Sequence, residues 1–151
     1  MAMVSVLLAL TGARAGAGDS LASLRYLVGT WQCTYDTGKM RATYTATFDY
    51  DMSGNWIRER DSWKGGGEDL GMLTYDPKNG VWTSVVLEPD RTTTLFRAGG
   101  DNPNHLVYRS IYPNASMTDV FDRVSAASYT LHFTQMAGGK TTKSTDTCLK
   151  T

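Results

Sequence analysis

The segment Trp56, Ile57, Arg58, Glu59, Arg60, Asp61, Ser62, Trp63 carries ionisable groups on both faces if it forms a β-strand. Any interior built on it therefore receives charge. The preceding turn decides which face points in. Asp51 in its first position and Gly54 in its fourth predict a type I turn closed by a left-handed glycine bulge, with Asp51 opposite Asn55. In that register Trp56, Arg58 and Arg60 join Tyr44 and Phe48 inside. A two-residue turn would instead send Glu59 and Asp61 inward.

Inward arginines would call for a partner, and a ligand carboxylate fits a guanidinium fork. The candidate binding set is Tyr44, Trp56, Arg58, Arg60, Tyr108 and Phe133, and the expected ligand is a small hydrophobic or amphiphilic molecule with an acidic head group. Two other uses of these residues remain open. Arg58 and Arg60 could pair with Glu59, Asp119 or Asp122 as a structural network. Alternatively, an isomerase, cyclase or lyase could use Tyr44 or Tyr108 as general acid while Arg58 holds a substrate carboxylate. A third reading makes the chain a non-catalytic envelope accessory protein.

No catalytic triad or nucleophile elbow occurs, and no metal signature, so catalytic residues are not assigned. His132 sits between Leu131 and Phe133, which turns it away from their apolar face, and His105 lies beside a Gly/Asn/Pro loop. A haem would need one of them as axial ligand, and no cofactor or metal is expected. Fifteen basic residues balance fifteen acidic ones without a Lys/Arg cluster, which argues against a nucleic-acid partner.

The elements that must position these groups are strands. Alternation is cleanest from Arg41 to Tyr50, where Ala42, Tyr44, Ala46, Phe48 and Tyr50 share one face. Similar runs at 30–36, 56–63, 70–75, 81–88, 91–97, 106–112, 117–124, 129–135 and 141–149 make about ten strands, separated by hairpin chemistry such as Asp76-Pro77-Lys78-Asn79-Gly80 and Gly138-Gly139. No helix is long enough to cover such a sheet. The expected architecture is therefore a single all-β, antiparallel up-and-down barrel. Before it, Asp19 and Ser20 can cap a short helix carrying Leu21, Leu24 and Leu27.

The apolar run from Met3 to Leu10 and the tripeptide Ala13-Arg14-Ala15 fit a cleaved signal peptide over residues 1–15, leaving a domain of 16–151 exported to a periplasmic or extracellular space with no transmembrane span. Eight apolar residues are too few to cross a bilayer. Cys33 and Cys148 are an even pair, which suggests a disulfide in an oxidising compartment; two buried thiols are the alternative.

The run Leu27-Val28-Gly29-Thr30-Trp31 resembles the G-x-W signature of lipocalin-like, or calycin, barrels, and Gly71 to Trp82 resembles the central hairpin of a bacterial lipocalin-like family known only as a domain of unknown function. That resemblance implies an N-terminal helix or 3₁₀ turn plugging one barrel end through Leu24 and Leu27, with Trp31 packed under the lumen. It also implies a basic residue of the last strand against that tryptophan, for which Lys143 and Lys150 are the candidates.

Overall fold

The structure is a computed structural model describing residues 21–100 and 102–151. The expected signal segment, its boundary with the domain, and the capping residues Asp19 and Ser20 lie outside the described residues. Ten strands follow in order: β1 Gly29–Asp36, β2 Arg41–Asp51, β3 Trp56–Trp63, β4 Glu68–Asp76, β5 Val81–Leu87, β6 Thr93–Gly99, β7 His105–Tyr112, β8 Met117–Ser125, β9 Ser128–Ala137 and β10 Lys140–Lys150. Each pairs antiparallel with its sequence neighbour, and β1 also pairs with β10, which closes the barrel. Closure leaves no free edge, as a sheet without covering helices requires. This is the expected all-β, up-and-down architecture, consistent with a lipocalin-like fold.

Before β1, the described chain begins with Leu21, and a 3₁₀ turn at Arg25–Leu27 stands where a short helix plugging one barrel end was expected. Leu21, Leu24 and Leu27 are buried beneath the fully buried Trp31. The indole Nε1 donates to the Leu27 carbonyl at 2.6 Å, satisfying a donor that would otherwise be stranded in the core. Lys150 supplies the basic residue: its ammonium lies 5.2 Å from the centre of the Trp31 ring and donates to the carbonyls of Tyr26 and Val28.

Cys33 and Cys148 form a disulfide between β1 and β10. They face each other directly in the register, with Cα atoms 4.1 Å apart and both side chains buried. The first and last strands are thus bonded across the line where the barrel closes.

The register of β3 differs from the expected one. Asp51 pairs with Trp56 rather than opposing Asn55, so the connection holds four residues, Met52 to Asn55. Met52, Ser53 and Gly54 all adopt positive φ, at 47°, 59° and 81°. Asp51 accepts from the Met52 amide, and the Asn55 side chain donates back to the Met52 carbonyl. One additional residue in the turn exchanges the two faces of the following strand. Ile57, Glu59, Asp61 and Trp63 therefore point inward, and Trp56, Arg58 and Arg60 point outward.

Packing and desolvation favour this outcome. It buries Ile57 completely and sets Trp63 against Tyr44 with ring centres 4.5 Å apart. A buried carboxyl can relieve its desolvation by taking up a proton, whereas a guanidinium cannot lose one.

Candidate functional site

The inward faces of the strands enclose a cavity of about 340 Å³, with Leu24 and Leu27 among its lining residues. That lies at the small end of ligand-site volumes. Much of the wall is apolar or aromatic, with Phe48, Trp63, Leu73, Val86, Phe96 and Phe133 among its residues. Every charged side chain that lines it is acidic: Glu59 and Asp61 from β3, Asp69 from β4, Glu88 just after β5, Asp119 from β8 and Asp146 from β10. No Lys, Arg or His is among the described lining residues.

These acids are placed by ladder geometry. Asp61 and Asp69 are direct cross-strand partners, an arrangement that is destabilising when both are ionised. The charge of Asp69 acts on Glu88, and Trp63 Nε1 donates to the Asp69 carboxylate at 2.7 Å. Glu59 is opposite Gly71, where a Cβ would lie 2.9 Å from the Glu59 carboxyl oxygen. The glycine thus gives the glutamate room to lie across the neighbouring strand. From β2, next to β3, the Tyr44 hydroxyl donates to Asp146 of β10 at 2.8 Å.

Desolvation raises the proton affinity of the group, and neighbouring carboxylates raise it further. Glu59 is held well above the carboxylate range, first by burial and then by Asp61, Asp119 and Asp146. Burial with the charges of Asp69, Asp146 and Glu88 pushes Asp61 up to about 8. Asp119 rises to about 7 through burial and Asp146. Asp146 rises to about 6, because burial outweighs the stabilising bond from Tyr44. Glu88, at the exposed rim, is raised to about 7 by desolvation and by Asp69.

Several polar atoms facing this space have no partner. Among the described residues, one carboxyl oxygen each of Asp61, Asp119 and Asp146 and the hydroxyl of Tyr108 are buried without a hydrogen bond. Tyr108 itself is only 7% exposed. Such groups cost free energy unless something donates to or accepts from them. No set of three His, Cys, Asp or Glu side chains among the described residues is arranged to hold a metal ion.

Of the six residues expected to bind ligand, Tyr44, Tyr108 and Phe133 line the cavity together. Trp56, Arg58 and Arg60 are on the outer face, for the register reason given above. Arg58 pairs there with Asp51 at 3.2 Å and lies 4.0 Å from Asp49, so its partners are neither Glu59, Asp119 nor Asp122. The acidic-head expectation loses its premise, as does an enzymatic arrangement in which Arg58 holds a substrate carboxylate. His105 is bonded to Asp122 on the surface, and His132 turns outward to Thr145.

Asp69 and Asp146 were not picked out from the sequence, and Asp119 only as a partner for the arginines, yet the lumenal position of each had a signal. Asp69 shares strand parity with Leu73, Asp119 with Met117 and Phe121, and Asp146 with Cys148, so alternation places each on an inward face. Substituting both outer arginines, Arg58→Met and Arg60→Met, should leave lumenal ligand affinity within twofold in a calorimetric titration of the folded variant. A tenfold loss would place the arginines in the site. No protein-family model and no curated protein sequence matches the chain.

Proposed function

We propose that this barrel is an exported, lipocalin-like carrier whose lumen binds a small organic cation, an amine with an apolar body. The observation that carries the reading is a cavity lined by six carboxyl side chains and no basic one among its described residues, with buried carboxyl oxygens lacking donors. An ammonium supplies three N–H donors and the missing positive charge, and the aromatic wall offers ring faces to the same cation. The apolar remainder of the wall suits the body of the ligand. The Cys33–Cys148 disulfide supports export, since such bonds persist in oxidising compartments.

The test is a calorimetric comparison at pH 8 of hexylamine, hexanol and hexanoate, three probes of similar shape and different charge. Hexylamine should bind at least tenfold more tightly than hexanol, with hexanoate weakest. Asp61→Asn should weaken the amine by roughly tenfold, about 1.4 kcal/mol, while leaving hexanol unchanged. Hexanoate binding as tightly as hexylamine, or no binding of the amine, overturns the proposal.

A further inference from the structure

The acids fall into two sets. One is a row across β3, β4 and the end of β5, where Asp61 pairs with Asp69 and Glu88 feels the charge of Asp69. The other comprises Asp119 on β8 and Asp146 on β10, flanking β9, whose Phe133 pairs with Asp119 and whose Leu131 pairs with Asp146. In a ring of ten strands β3 and β8 are five places apart, which sets Asp61 and Asp119 on opposite sides of the lumen, while Asp146 on β10 lies between them, three places from β3. Glu59 sits one pleat below Asp61, about 7 Å along the strand; both feel the charge of Asp146, and Glu59 also feels that of Asp119.

Orphaned atoms occur in both sets: Asp61 in the first, and Asp119 and Asp146 in the second, where the unpartnered Tyr108 hydroxyl also lies beside Asp119 through their cross-strand pairing. The described protein donors reach one acid in each, Trp63 to Asp69 and Tyr44 to Asp146. An ammonium presents its three donors around a single nitrogen and can neutralise only the wall it touches. The opposite wall then keeps buried acceptors without donors.

We infer that the ligand carries two positive centres, one for each acidic wall, joined by an apolar spacer that crosses the lumen past Phe96 and Phe133. The chemical class is a dication of the α,ω-diamine type. This rests on the amine reading above and goes further by specifying charge number and spacing. Tyr108, beside Asp119, accepts from the second centre or donates to the Asp119 carboxylate once the nearby positive charge has favoured its ionised form and its proton has gone to solvent.

The test titrates the folded protein at pH 8 with unbranched α,ω-diamines of three to ten carbons and with monoamines of the same lengths. One diamine length should bind with 1:1 stoichiometry and at least tenfold more tightly than its monoamine. Asp61→Asn and Asp119→Asn should each bring that diamine to within about threefold of the monoamine, with circular dichroism confirming the fold. Monoamines that match or exceed every diamine, or that bind two to a barrel, overturn the dication inference while leaving the amine carrier standing. Failure of both series to bind overturns both.

Discussion

Replacing both cysteines, Cys33→Ala with Cys148→Ala, is expected to lower the unfolding free energy by about 3–5 kcal/mol. The crosslink spans a sequence separation of 115, so its loss returns a long loop to the unfolded ensemble. For a domain of this size the change corresponds to roughly 10–20 °C in Tm. Urea titration of the oxidised protein against the double variant measures it directly. A midpoint unchanged between the two would show that the seam between β1 and β10 holds by pairing alone.

The second large effect is on pH dependence. Glu59, Asp61, Asp119 and Asp146 all titrate higher in the fold than in the unfolded chain. Between about pH 4, where unfolded carboxyls lose their protons, and about pH 8, the folded state therefore binds more protons. Unfolding free energy must fall as pH rises through that window. With solvent and mutual relaxation softening each contribution, the unliganded barrel should lose on the order of 3 kcal/mol between pH 5 and 8.

Asp61→Asn keeps the shape and removes one of the raised acids. It should flatten the profile and leave the variant more stable than the parent at pH 8 by about 1–2 kcal/mol. Thermal unfolding across pH 5 to 8 decides the matter: a parent profile that is flat or rises with pH contradicts the assignment. The same acids link ligand to proton, since a bound cation stabilises their ionised forms. A cationic ligand should therefore bind more tightly at pH 8 than at pH 5 and release protons as it binds.

The strands were legible because their signals are local. Period-two alternation in Ala42, Tyr44, Ala46 and Phe48, and turn residues such as Asp76 to Gly80, report on a few positions each, and those positions became β2 and the β4–β5 hairpin. The tryptophan of the G-x-W run and the cysteine pair were equally readable, since each residue type has few other uses. Tyr44 and Phe133 followed from alternation within their own strands. The faces of β3 were not legible, because its two halves compete: Trp56, Arg58 and Arg60 against Ile57, Glu59 and Asp61. One residue in the turn selects between them, and Met52 and Ser53 at positive φ are residue types that do not advertise it. The acidic lumen depended on that choice and on acids from five separate stretches of chain, a convergence only the closed barrel creates.

The seam has a further consequence for how the chain assembles. Nine of the ten strand pairings join neighbours in sequence through short connections, and only β1 with β10 must find each other across the length of the domain. Hairpins can therefore form one after another while closure waits, because distant pairing incurs its loop entropy before any contact rewards it. Until then the sheet has two open edges, and an open edge will accept a strand from any chain. A concentrated, reduced preparation held at that stage would join edge to edge into swapped dimers and longer assemblies, whereas oxidation commits each chain to its own last strand.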